Sequence, residues 1–173
     1  NSKMNNLLVM KFGGTSMGSA ERIRVAASIS AEQLRRRPVL VVVNAMSKVT
    51  DLLLDTLRHA EAGDEAGLEN NLRQLRERHL TACRQLLPPE QSAPVEQELL
   101  EIIADFERIA AGVRMLGERP PRSVDEGVAV GERLSALLMA AYLKSQGVAA
   151  EAVNAAGVVV TDAVFGHASP LMD

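Results

Sequence analysis

An α/β fold on a mainly parallel sheet is what this sequence predicts, from three observations. Short apolar runs at 7–12 and 39–43 each end in glycine or small polar residues. Each is followed by a stretch of helical period, so the order is strand–helix–strand–helix, which favours parallel strands joined by right-handed crossovers. The composition, 47% apolar and 24% charged over 173 residues, is that of a globular chain with a real core, at a length that suits one domain;.

Residues 7–12 read as a buried strand that runs into a sharp turn at Gly13-Gly14;. The next segment, 19–37, carries Ile23, Ala26, Ala27, Ile29, Ser30 and Leu34 near helical spacing, with Ser19 or Gly18 to cap its start and Pro38 to end it;. Residues 39–43 are a second buried strand, all but one of them valine;. The loop 44–47 leads to a helix marked by Leu52, Leu53, Leu57 and Ala60 that stops near Gly63. The alternation then breaks. Residues 67–87 read as one amphipathic helix, Pro88-Pro89 as a break, and a second long helix runs to about Gly117 with Pro94 near its first turn;. Together they predict a helical hairpin, about 67–116, inserted into the α/β frame. Pro120-Pro121 opens the return. Residues 123–132 are expected to be a loop or short strand, 131–146 a helix stopped by Gly147, and 149–154 and 158–161 strands;. Residues 165–170 are turn-like.

Composition narrows the function classes. Nineteen basic against 22 acidic residues argue against nucleic-acid binding held by bulk charge, and 2% aromatics leave little for base stacking;. The aliphatic run 39–43 is far too short to span a bilayer, so no membrane is expected;. The single cysteine allows no internal disulfide and fits a reducing cytoplasm;. Asn1-Ser2-Lys3 reads as a cloning remnant ahead of Met4;.

Three segments are candidates for chemistry. In Lys11-Phe12-Gly13-Gly14-Thr15-Ser16, two glycines let the backbone approach a ligand, a helix start follows, and Lys11 adds a cation and Thr15 and Ser16 hydroxyls;. Such a set can cradle a polyphosphate, although it matches neither the P-loop nor the G-x-G-x-x-G pattern; a plain tight turn fits the spacing equally well. Asn44-Ala45-Met46-Ser47-Lys48-Val49-Thr50-Asp51 follows the second strand and should lie beside the first segment, at the carboxyl end of the sheet;. Its small polar groups suit an anionic substrate, while Thr50 or Asp51 as a simple helix cap is the blander reading. In Gly131-Glu132-Arg133-Leu134-Ser135, a carboxylate near a helix start can meet a substrate ammonium group or merely complement the helix dipole;. His59 and His79 have no clustered metal ligands around them, Cys83 reads as core, Arg35 to Arg37 as a solvated helix end and His167 as a surface turn;. No metal site is expected.

Taken in order, these segments resemble the aspartate kinase family of the amino-acid kinase superfamily. Lys11 to Ser16 matches its opening motif, Val41 to Thr50 its second, Gly131 to Ser135 its third, and Thr161-Asp162 with Phe165-Gly166-His167-Ala168 the segment that follows. The helical hairpin is similar to the insertion of that family. The resemblance implies a three-layer αβα sandwich of the carbamate kinase-like type. It also implies ATP-dependent phosphorylation of the L-aspartate side-chain carboxylate, the entry step to lysine, threonine and methionine. Lys11 would be catalytic; Lys11, Phe12, Gly13, Gly14, Thr15 and Ser16 would hold the transferring phosphate; Asn44, Ser47, Thr50 and Glu132 would hold aspartate; Mg²⁺ would enter with ATP. Asn44 stands where the family usually has serine, and Ala129 where serine or cysteine is common. The family's kinase domain continues into a second half with most of the nucleotide contacts, followed by ACT domains. The chain is therefore expected to be an amino-terminal piece, inactive alone, of a homo-oligomeric enzyme that is sometimes fused to a second biosynthetic enzyme. Another acyl-phosphate-forming amino-acid kinase, or a non-catalytic interaction module, are the alternatives.

Overall fold

The structure, a computed structural model, describes residues 6–153 and 157–161. Nine elements follow in order: β1 (Leu8–Phe12), α1 (Ala20–Leu34), β2 (Val39–Val43), α2 (Val49–Glu61), α3 (Glu65–Leu86), α4 (Pro89–Leu116), α5 (Pro121–Ser145), β3 (Ala150–Val153) and β4 (Val158–Thr161). The turn expected at 165–170, His167 and the residues after Thr161 lie outside the described residues, as do Met4 and Asn154.

The sheet has the order β1-β2-β4-β3. β1 and β2 are parallel and in register, Leu8 with Val39 through Phe12 with Val43. β4 runs antiparallel to both β2 and β3, so three strands share one direction and the fourth is reversed between them. The reversal follows from chain length. Only four residues separate β3 from β4, enough for a hairpin and far too few for a parallel crossover;.

One face of the sheet is packed. Val39, Val41 and Val43 are buried, and register places Leu8, Met10, Phe12, Val159 and Thr161 on the same side. The buried Thr161 hydroxyl donates to the Val39 carbonyl at 2.7 Å. α1 and α5 cover this face, and α2, α3 and α4 pack outside them around Leu53, Leu57, Leu75, Leu99, Ile103 and Phe106, all fully buried. The opposite face, with Val9, Leu40, Val42, Val158 and Val160, has no described helix over it; the alternating burial of β2 and β4 records this. The described residues thus form two of the three layers expected.

The helical pair α3–α4 starts earlier and joins more tightly than the hairpin expected over about 67–116. α3 begins at Glu65, where the Asp64 carboxylate accepts from Gly67 N–H at 3.0 Å;. α4 begins at Pro89, so Pro94 lies inside the helix instead of in its first turn. Pro89 at the first helical position needs no amide partner, which lets the helix start a turn early; Pro94 then removes one hydrogen bond.

The main correction concerns residues 123–132. The loop or short strand expected there is helix: α5 is continuous from Pro121 to Ser145. Gly127 and Gly131 within it serve close packing. A Cβ on Gly127 would stand 3.2 Å from Leu57 and 3.3 Å from Phe106, and one on Gly131 only 2.8 Å from the Ala45 Cβ. The cost of glycine within a helix, about 1 kcal/mol each, is offset by the approach of α5 to α2 and α4.

Candidate active site

The carboxyl ends of β1 and β2 bring the first two segments together. Phe12 C=O accepts from Asn44 N–H at 3.0 Å, which locks the two strand exits side by side. The loop after β1 is pinned by Met17, fully buried, whose N–H is shared between the carbonyls of Gly13 and Gly14 at 3.2 Å. Ser19 caps α1, its hydroxyl accepting from Arg22 N–H at 3.3 Å. Gly14 is required by its neighbour: a Cβ there would come within 3.1 Å of the Ala45 carbonyl and 3.8 Å of the Ser47 backbone. Thr15 and Ser16 are exposed beyond this contact.

Lys11 and Phe12 leave β1 in opposite directions. Phe12 lies in the packed face, so only its backbone is available to a ligand. Lys11, paired with Val42, is exposed on the uncovered face near the strand exit.

The second loop ends in a backbone feature that sequence reading missed. Lys48 has φ +67°, in the left-handed region, and stands at the N-cap of α2 with no side-chain cap;. Neither Thr50 nor Asp51 caps this helix. Both lie exposed in its first turn, which leaves the Thr50 hydroxyl and the first amides of the helix without a side-chain cap;. Asn44 and Ser47 are half-buried between the two loops, and Ser47 lies 3.5 Å from where a Gly18 Cβ would stand.

Glu132 reaches the same place from α5. It is mid-helix, which removes the dipole-capping role considered for it. Gly131 lies against Ala45, Leu53 and Val49, so the neighbouring Glu132 is carried to the end of β2. Gly157 closes the arrangement. Its φ is +70°, its carbonyl accepts from Val43 N–H at 2.7 Å, and a Cβ there would lie 2.1 Å from the Val43 carbonyl and 3.3 Å from the Glu132 Cβ. No motif marked Gly157. Its only signal was a glycine between two short strands. Arg133, beside Glu132, points the other way, to Asp105 of α4 at 3.2 Å.

The sheet edge, two glycine-permitted loop contacts and α5 therefore gather Lys11, the 13–16 loop, Asn44, Ser47, Thr50 and Glu132 around one end of the sheet. Among the described residues, no group of three His, Cys, Asp or Glu side chains could hold a metal ion. His59, instead, lies between Asp55 and Asp64 at 3.2 and 2.8 Å, and His79 is buried inside α3.

The amino acid kinase family profile matches residues 6–169, nearly the whole chain. The chain belongs to the amino acid kinase family. Among curated relatives, the aspartokinase of Chlamydia trachomatis is 34% identical over 163 residues, 94% of this chain and 34% of that protein. The chloroplastic bifunctional aspartokinase/homoserine dehydrogenase 1 of Arabidopsis thaliana is 32% identical over 159 residues, 91% of this chain and 17% of that one. The chain thus spans 34% and 17% of the length of these two relatives. Among solved structures, E. coli aspartokinase III, in complex with aspartate and ADP, superposes with a TM-score of 0.70 at 23% identity, over 82% of this chain and 30% of that one. This likeness establishes the fold. No described helix is long and apolar enough to cross a membrane.

Proposed function

We propose that this chain forms the aspartate-binding side of an aspartate kinase active site. The observation that carries the reading is the convergence of the 11–16 loop, the 44–50 loop and Glu132 on one sheet edge, in a chain whose family relatives include aspartokinases. In this reading Glu132 holds the substrate ammonium group, and Thr50 with the open N-terminus of α2 holds a carboxylate. Asn44 and Ser47 line the same pocket; asparagine in place of serine keeps a hydrogen-bonding group there. A side-chain carboxylate oxygen then attacks the γ-phosphorus of ATP, the bond to the β–γ bridging oxygen breaks, and ADP and 4-phospho-L-aspartate result. No proton need move. Lys11 and the backbone of Gly13 and Gly14 stabilise charge on the transferring group, with Thr15 and Ser16 beside them.

Mg²⁺ is expected to enter with ATP, since the described residues build no carboxylate cluster of their own;. Lys11 faces the uncovered side of the sheet, and so the nucleotide is expected there, held by chain beyond these residues. Residues 1–173 alone are then inactive, because transfer requires both substrates positioned together. Fusion to homoserine dehydrogenase, as in the Arabidopsis relative, is one arrangement this chain suits. A single buried cysteine fits a reducing compartment such as the cytoplasm;.

The test is hydroxamate trapping of acyl phosphate by the full polypeptide that carries this chain, offered aspartate, glutamate and N-acetylglutamate in turn. Aspartate should be preferred by a wide margin. Preference for either other acid would overturn the assignment.

A further inference from the structure

A groove of about 790 Å³ runs between the start of α1, α2 and α3. It borders the candidate active site through Gly18, Met46 and Lys48, is lined along α3 by Gln74, Arg78 and Gln85, and does not include Glu132 in its lining. Its distinctive occupant is Arg78. The neighbouring arginines of α3 have partners: Arg73 donates to the Asn70 amide oxygen, Arg76 reaches Glu107 and Glu69, and Arg84 reaches Glu96. Arg78 is half-buried, and its guanidinium makes no hydrogen bond or ion pair among the described residues. Burial alone pushes its pKa down, with no carboxylate to offset it. A partly desolvated cation of this kind is stabilised by an anion delivered into the groove.

The groove's other charges restrict which anion fits. Lys48 adds a second cation near the active-site end. Asp55 is already engaged by the Asn71 amide at 2.9 Å and by His59. Asp51 and Glu77 are exposed carboxylates on the walls, on α2 and α3. A polyanion would gain from Arg78 and Lys48 but be repelled by Asp51 and Glu77. A ligand with one carboxylate and one ammonium group satisfies both signs.

We propose that the α1–α2–α3 groove binds a small zwitterionic amino acid, its carboxylate on Arg78 and its ammonium group toward Asp51 and Glu77. The site is separate from the one assigned to the phosphoryl acceptor and does not depend on the aspartate kinase reading. Because Gly18, Met46 and Lys48 border both, occupancy can influence the loops after β1 and β2.

Amide NMR of the full polypeptide tests this, with glycine, acetate, methylammonium and inorganic phosphate as separate probes. Glycine should shift Ser19, Lys48 and Thr81 saturably, acetate should bind roughly 5-fold more weakly or worse, and methylammonium should have no effect. Arg78→Gln should abolish the glycine response with the remaining spectrum unchanged. Glu77→Gln, an exposed change, should weaken glycine and leave acetate as it was, which keeps the test available if Arg78→Gln folds poorly. Phosphate binding tighter than glycine, an undiminished response in Arg78→Gln, or no saturable shift with any probe would overturn the proposal.

Discussion

Glu132 and Lys11 approach one edge of the sheet from opposite faces, the first from the helical layer and the second from the uncovered side. On the function proposed above, in which Glu132 holds the substrate and Lys11 the transferring group, their losses should separate kinetically. Glu132→Gln removes a charge-assisted contact to the bound substrate, worth about 1.5–3 kcal/mol, and should raise the KM for aspartate by about 10- to 100-fold with a smaller change in kcat. Lys11→Met removes charge stabilisation from the transferring group and should lower kcat by about 10²- to 10³-fold with the KM for aspartate nearly unchanged. Steady-state kinetics of the full enzyme with aspartate varied distinguishes the two; a kcat loss for Glu132→Gln with unaltered KM would remove its assigned role. Gly157 acts on the same site through sterics. Its positive φ and the 2.1 Å approach of a Cβ to the Val43 carbonyl leave no room for alanine. Gly157→Ala should lower stability by about 1–3 kcal/mol and also raise the KM for aspartate, because the shift of the turn is passed to Glu132. Thermal unfolding that matches the unsubstituted protein would disprove the contact. These residues were unequally legible in sequence. Lys11, Thr50 and Glu132 stood in recognisable strings, whereas Gly157 and the left-handed Lys48 owe their importance to contacts 25 residues away or to one backbone angle.

At the scale of elements, β1, α1 and β2 were legible because each carries its own pattern and punctuation: short apolar runs on the strands, small apolar residues at helical spacing along α1, a proline between. α5 was not. Gly127 and Gly131 lower helix propensity locally, and only their fit against Phe106, Leu57 and Ala45 explains why the helix passes through them;. The reversed direction of β4 was in principle readable, since four linking residues cannot make a crossover;. α3 holds a consequence that no pattern announced. His79 is fully buried, its Nδ1 bonded to the Leu75 carbonyl at 2.8 Å and its Nε2 without a partner among the described residues. Burial lowers its pKa to about 4, the Leu75 carbonyl opposing and the adjacent Arg78 reinforcing the shift. The unfolded chain takes up this proton near pH 6.5, the folded chain only near 4, so unfolding gains protons in between;. Stability should hold above about pH 6.5 and fall by about 3 kcal/mol as pH drops toward 4. Asp55, Asp64 and Glu96, all with lowered pKa values, begin to add losses as pH falls into the ordinary carboxylate range, so the upper part of this window is left to His79;. Urea unfolding of the chain and of His79→Leu across pH 4–7 checks it: the slope should flatten in the variant, and equal slopes would exclude His79 as the source.

At the scale of the molecule, the asymmetry of the sheet sets how the isolated chain behaves. The packed face is closed by α1 and α5, but Val9, at 57% exposure, Leu40, Val42, Val158 and Val160 present an apolar strip crossed only by Lys11 and Glu151. Among the described residues, β1 is an edge strand beside this strip, with a row of backbone groups that no described strand pairs;. A face of this kind is stabilised by whatever covers it, at about 25 cal/mol for each Å² of apolar surface removed from water. In a polypeptide that supplies the third layer of the family's fold, that layer removes it from water. In residues 1–173 alone, the available apolar surface is another copy. The isolated chain should therefore self-associate, with an average mass in sedimentation equilibrium that rises with concentration. Val9→Glu with Val160→Lys places charge on the strip without touching the packed face, and should shift the chain toward monomer with helix content and thermal midpoint nearly unchanged. A clean monomer from the unsubstituted chain at high concentration would show that the strip is protected by residues of the chain itself. Association that persists in the double variant would move the contact to the exposed Val25 and Ile29 of α1.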